Sequence, residues 1–506
     1  MQGKSDPNTE LLDSAALCRH LVDEGSVHSF LADHRHELFP DDLFADLFPS
    51  SRGRPSVPAD VVATTLVLQT LEGLSDREAA AALRQNIAWK VAAGLAIDAP
   101  GIHPTVLTYW RKRLLASENP ERIFDAVRGV VRATGVLKGR DRRALDSTVL
   151  DDAVATQDTV TQLVGAIRRV LRIVPSAAGA VLARDYSTPA KPDIAWDDPA
   201  AKAALVTELV NDALAVIAAL EGVTLGDEQA DAVGLLALVA GQDVEPGDEA
   251  GTWRIAQRVA PDRVVSVVDP EARHVHKTVH EYRDGYKAHV GAEPETGIIT
   301  DVAVTPGNVP DAEAAIDLLS REDGPVDVLG DSAYGSGKLR AKLNALGHGA
   351  TIKAIPLRSA VPGGFTIDDF TLDTEASTVT CPAGNTVVLT RKLNATFGKL
   401  CNGCPLRERC TTAKAGRTLR VHPYDPELRA ARVAAKDPDF QCRYRTQRPM
   451  IERTLAWIVA GNNRRLRYRG IEPNQLWLTH RAAALNLRRL LNLGLHHDGP
   501  NGWAIA

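Results

Sequence analysis

Apolar positions recur at helical spacing over 59–71, where Val61, Val62, Leu66, Leu68 and Leu71 fall on one face. Gly73 ends that helix, and Ser75-Asp-Arg-Glu78 reads as a capping box opening the next, which carries Ala79 and Leu83. Pro104 stands at the first turn of a third helix over 105–115, whose face offers Thr105, Thr108, Tyr109, Arg111, Lys112 and Arg113. Residues 143–150 have the composition of a strand. The stretch 158–173 is amphipathic and helical, and 174–260 is alanine-rich, acidic and punctuated by proline. Strands over 285–290 and 298–305 are expected to form a hairpin. A helix over 311–319, a buried strand over 326–329, a helix over 335–346 and a strand over 350–355 follow. Residues 449–460 and 476–491 read as closing helices. The order predicts a mixed α/β fold with antiparallel and parallel neighbours.

The chain has 506 residues, room for two to four domains at about 150 residues each. Hydrophobic residues make up 44% and charged residues 24%, which excludes a disordered, collagenous or fibrous chain. The polar N-terminus has no apolar signal region. The longest apolar run, 233–241, is far short of the roughly 18 residues a membrane helix needs. These features predict a cytoplasmic protein without a membrane partner.

The formal charge of −5 advertises no nucleic acid, but it hides a division. Segment 103–145 has ten basic residues against four acids, and 441–490 has eleven arginines against two glutamates. Between them, 151–260 has eight basic residues against seventeen acids. Basic blocks are ordinarily solvated faces. Short helices followed by a basic helix also fit a helix-turn-helix-like module that contacts DNA or serves dimerisation. The arginine bias at 441–490 suits phosphate contact, because the planar fork binds two oxygens.

Three acids stand out by position. Asp146 lies within an apolar strand, Asp331 ends the apolar run 326–329, and Glu452 lies in a helix beside Ile451, Leu455 and Ile458. A carboxylate on an apolar segment is costly unless paired or metal-bound. Three of them, from two strands and a helix, can converge on hard divalent ions. Taken singly, each is equally a salt-bridged strand-end or helix-surface acid. Cys401-x2-Cys404 is a zinc half-site that Cys381 and Cys410 could complete; the alternative is four reduced thiols. Cys18 and Cys442 read as plain hydrophobes. His274, His276, His280 and His289 lie in strand-like context, which favours packing or phosphate contact over metal.

The stretches ALDSTVLDDAVATQDT, DPEARHVHKT, GYKAHVGAEPETGIITDVAVTPGNVPDAE, VLGDSAYGS and RPMIERTLAWIVAGNNRRLRYRG resemble, in this order, a DDE transposase of bacterial insertion sequences. The resemblance spans about residues 30–495. It implies an RNase H-like fold whose acidic triad binds two Mg²⁺ or Mn²⁺ ions. The triad carries over to Asp146, Asp331 and Glu452. Arg448 matches the basic residue of the family's Tyr-Arg-Glu-Lys signature; the tyrosine position is Arg445, with Tyr444 beside it. The lysine position is Val459, and Arg464 and Arg465 offer charge instead.

The implied domains are a lead-in (1–50), a helical DNA-binding or dimerisation domain (51–140) and a catalytic domain (141–495) ahead of a short tail (496–506). The catalytic domain carries a helical insertion at about 158–260 and a cysteine-rich insertion at about 360–440. The expected partners are transposon ends and target DNA, bound by at least a dimer in the nucleoid. The implied activity is metal-dependent cleavage of element ends and their joining to target DNA. Two other readings stand beside it: a catalytically inactive DNA-binding relative, and a two-metal nuclease without strand transfer.

Overall fold

The structure, a computed structural model, describes residues 1–5, 11–50, 52–188, 192–258, 260–276, 281–499 and 502–506. His280 lies outside the described residues.

The N-terminal helices are α1 (Val27–Leu38), α2 (Ala59–Glu72), α3 (Asp76–Gln85), α4 (Pro104–Leu115) and α5 (Arg122–Thr134). The expected capping box opens α3: the Glu78 N–H donates to Ser75 Oγ at 3.3 Å and the Ser75 N–H to Glu78 Oε2 at 2.7 Å. The one-sided pattern of α2 is incomplete, because every residue from Ala59 to Thr70 is buried. A helix covered all round has neighbours all round. Here α1, α3 and α4 cover part of it, and a helix from the far end of the chain covers the rest. The lead-in joins the same core through Phe30, Leu31, Phe39 and Phe44.

The sheet contains β1 (Arg142–Asp151), β2 (Arg273–His276), β3 (Tyr282–Ala292), β4 (Ile299–Pro306), β5 (Asp327–Gly330) and β6 (Gly349–Ile352). β1 pairs antiparallel with β3, from Ala144 opposite Ala292 to Asp151 opposite Gly285. β3 pairs antiparallel with β2 and β4. On its other edge β1 pairs in parallel with β5, with Ala144 opposite Leu329, and β5 pairs in parallel with β6. This is the expected mixture of antiparallel and parallel neighbours.

Between β1 and β2 the insertion folds as α6 (Thr159–Ile173), α7 (Pro199–Ala219) and α8 (Asp227–Gln242). It has a core of its own, drawn from residues such as Leu163, Ile167, Leu209, Val216 and Leu236. The cysteine-rich segment is a set of three-residue strands around six buried residues, among them Phe370, Phe397 and Leu419.

Two long helices close the fold: α9 (Pro438–Val459) and α10 (Ile471–Asn492). The sequence expectation starts α9 near Pro449, but the helix runs through that proline from Pro438, with the Asp437 side chain accepting from the Asp439 N–H. A helix interior tolerates proline at the cost of one backbone hydrogen bond. α10 lies against β4, α2 and α5. From it Arg481, fully buried, donates to the carbonyls of Thr70 and Leu71 and to those of Trp457, Ile458 and Ala460. These are the C-terminal ends of α2 and α9, where partial negative charge favours a cation. The expected tail is a hairpin of Leu495–His497 and Trp503–Ile505, with Trp503 packed on Phe30 and His34.

Candidate active site

Asp146 and Asp331 stand two residues beyond the paired Ala144 and Leu329, on adjacent parallel strands. Side chains alternate along a strand, so both belong to the face that carries Ala144. α9 covers that face of β1. From it Arg448 donates to Asp146 Oδ2 at 2.6 Å and to the Leu145 carbonyl at 3.1 Å. Arg448 Nε also lies 3.7 Å from Glu452 Oε1, one helical turn on. One guanidinium therefore stands between two of the three acids. Asp331 caps the turn after β5 by accepting from the Ala333 N–H at 2.9 Å.

The acids differ in environment. The Asp146 side chain is 13% exposed and that of Glu452 is 65% exposed. Burial pushes Asp146 up to about 6; Arg448 and the Ser147 N–H pull it down, and the nearby Asp331 charge pushes it up again. Its desolvation thus exceeds what one guanidinium offsets.

Several neighbours of the acids had no role assigned from the sequence. Tyr444 feels Arg448, Asp331, Asp146 and Glu452, so it is the tyrosine that faces the acids, rather than the signature position Arg445. The four-residue spacing Tyr444, Arg448, Glu452 is a helical stripe and was legible in the sequence. Tyr334 is fully buried after Asp331, and among the described residues its hydroxyl has no hydrogen-bond partner. Burial raises it far above its usual value, as do the charges of Asp311, Asp146 and Asp331. On the other face of β1, Ser147 donates to Asp311 at 2.8 Å and Lys287 to Asp311 at 2.8 Å. His289, buried opposite Ser147, is pushed down to about 4 by burial.

The expected DNA contacts separate into two groups. Arg111 is buried against Asp76 and stacks over Tyr468, so its charge is committed inside the protein. This departs from the expectation of a DNA-facing arginine; the apolar positions Leu107 and Leu114 turn its side of α4 inward. Thr105, Thr108, Tyr109, Lys112 and Arg113 form the exposed face. Arg448 lies among the acids. Arg464 donates to the Val149 carbonyl at 3.0 Å, and Arg465 is exposed.

No zinc site is found among the described residues. Cys381, Cys401, Cys404 and Cys410 line one small cavity with Phe365, Phe370 and Phe397. Burial raises the Cys410 thiol, as do the neighbouring Cys401, Cys381 and Cys404, while Arg417 lowers it. Among the described residues no three His, Cys, Asp or Glu groups are drawn together as a ligand set, the acidic triad included. At the triad, Arg448 lies between two of the acids.

Residues 380–491 match the family described as Transposase DDE domain, and residues 19–113 match that described as Transposase domain (DUF772). The two matches together indicate an insertion-sequence DDE transposase. The transposase match at the C-terminal end covers Arg448, Glu452, Arg464 and the four clustered cysteines; the N-terminal match covers Lys112 and Arg113. Asp146 and Asp331 lie outside both. No curated protein and no solved structure matches the chain at a significant level. The DDE transposases are generally divalent-metal dependent and act on DNA. Among the described residues of this transposase, no helix is long and apolar enough to cross a membrane.

Proposed function

We propose that this transposase cleaves the ends of its own insertion sequence and joins them to target DNA, with Asp146, Asp331 and Glu452 as the acidic triad of an RNase H-like domain. The observation that carries the reading is the shared face of Asp146 and Asp331 on neighbouring parallel strands, beneath the helix of Arg448 and Glu452. The strand order β4-β3-β1-β5-β6, antiparallel and then parallel, supports the RNase H-like assignment.

The donor set fits Mg²⁺ or Mn²⁺: three hard carboxylates, one of them desolvated beyond what its guanidinium offsets. Bound divalent ions supply Lewis-acid stabilisation of the attacking and leaving oxygens in phosphoryl transfer. The chain's own residues do the rest. Asp146 and Asp331 are held by strands, so their spacing is fixed by the backbone ladder. Glu452 is exposed on its helix and is free to adjust. Arg448 keeps Asp146 ionised. The exposed Lys112 and Arg113, with Arg464 and Arg465, contact phosphates of the DNA. Pairing of two element ends requires at least a dimer on DNA, working in the cytoplasm at the nucleoid.

The test is strand cleavage and joining. Purified protein is mixed with DNA carrying the terminal sequences that flank its gene, with Mg²⁺ or with EDTA, beside Asp146→Ala. Metal-dependent nicks at the element boundary and joined products, both lost in the variant, are expected. Nicks without joining from a pre-cut end would make the protein a nuclease. Tight specific binding without cleavage would make it an inactive DNA-binding relative.

A further inference from the structure

A cavity of about 540 Å³ opens between α5 and the N-terminal ends of β1 and β5, apart from the carboxylates. Five cations line it: Arg128 and Arg132 of α5, Lys138, Arg143 and Arg321. Glu322 and Asp323 are the acids of its wall. Arg143 is matched by Glu322 through two 2.6 Å hydrogen bonds. Arg321 is matched by Glu121, Asp125 and Asp301. Arg132 and Lys138 are exposed and, among the described residues, have no ion-pair partner. Behind them Arg128 is 12% exposed and reaches Asp125 at 3.3 Å.

This crowding is costly. Arg128 and Arg132 are four residues apart on one helix, a like-charge spacing that weakens a helix. Burial holds Arg128 below its ordinary value, and the guanidinium groups of Arg321 and Arg132 lower it further. An anion between Arg132 and Lys138 removes that repulsion. Arg143 lies three residues before Asp146 on β1, about 10 Å along the strand at roughly 3.3 Å per residue, and the odd spacing puts the two side chains on opposite faces.

We propose that this cavity seats a phosphate of the DNA backbone, held by Arg132 and Lys138, as an anchor at the N-terminal ends of β1 and β5, apart from the acidic triad. The proposal rests on the DNA-binding reading above. It accounts for the part of the basic block at 103–145 that does not face the exposed side of α4. The contact reads no base, so it anchors any sequence alike.

The experiment is duplex binding by fluorescence anisotropy between 50 and 200 mM salt. It uses full-length wild type, the double variant Arg132→Ala/Lys138→Ala, and the charge-preserving Arg132→Lys/Lys138→Arg. Each phosphate contact contributes about −0.9 to the slope of log affinity against log salt. The double alanine variant is expected to bind more weakly at low salt. Its loss of affinity across this salt range is expected to be about three- to fourfold smaller than that of wild type. The charge-preserving variant should follow wild type, which separates lost charge from misfolding. Binding by the alanine variant with the affinity and slope of wild type would overturn the anchor and leave the DNA reading standing. No binding by wild type at any salt would overturn both.

Discussion

The N-terminal helices and the insertion between β1 and β2 are both helical additions to one sheet, but they are attached in different ways. The insertion has a separate core from Val160 to Val267. Apart from a small cluster of Cys18, Val22 and Val91, the N-terminal helices have none: Leu31, Leu66 and Phe124 share one core with Tyr286, Ile451 and Leu485. The insertion packs mainly on itself, whereas the N-terminal helices share their core with α9 and the sheet.

The hardest test of this contrast is Arg481→Met. It leaves carbonyls of Thr70, Leu71, Trp457, Ile458 and Ala460 without their donor. Buried acceptors cost about 1–3 kcal/mol each when stranded. A loss of at least about 3–5 kcal/mol is expected, with the N-terminal helices and the sheet melting together in calorimetry. If the N-terminal helices alone lost structure, the shared core would be the wrong description.

Leu209→Ala probes the other side. A fully buried leucine in the insertion core should cost about 2–5 kcal/mol. Hydrogen exchange should accelerate in α6–α8 while β1 and β3 keep their protection. Loss of protection in β1 would join the two cores.

Acid separates the regions next. His480, fully buried on α10 beside Arg111, is pushed down to about 3 by burial. The unfolded chain takes up its proton near 6.5, well before the folded one. Stability that is complete above pH 6.5 is therefore lost as pH falls toward 3. At pH 4.5 the loss is up to about 3 kcal/mol. His480→Gln should flatten this dependence in melts between pH 7 and 4.5, and an unchanged profile would discard it.

The smallest contrast uses glycine. Gly222 in the insertion has φ +76 with open space around it, so Gly222→Ala should cost only about 1–2 kcal/mol for the left-handed backbone. Gly73 has φ +70, and a β-carbon there runs into the Gly461 carbonyl. Gly73→Ala should show the larger drop in melting temperature, and equal drops would show that the joint yields.

Much of this was legible from local pattern. The Ser75–Glu78 box, the α4 start at Pro104 and the hairpin of β3 and β4 depend on near neighbours and were read directly. Long-range contacts were not. The burial of α2 on every side depends on α10, and the inward turn of Arg111 depends on Asp76 and Tyr468. The start of α9 was hidden by Pro449, because local rules count that proline as a boundary while packing against β1 carries the helix past it. At the site, the strand positions of Asp146 and Asp331 follow from apolar runs. Arg448 between the acids, and the orphaned Tyr334 hydroxyl, need the fold. The cysteine spacing gave proximity and could not give ligand geometry.

The hydrogen bonds from Arg481 to Thr70 have a consequence for synthesis. They link residues 411 positions apart. At about 5–20 residues per second, a ribosome needs roughly 20–80 s to make that interval. Throughout it the apolar flank of α2 waits for α10, while the insertion closes within its own hundred or so residues. A chain released early would carry a folded insertion and an unfinished N-terminal domain, with apolar surface open to chaperones and proteases. Only chains that reach the last helix would cover that flank, so the fold itself registers how far synthesis has gone.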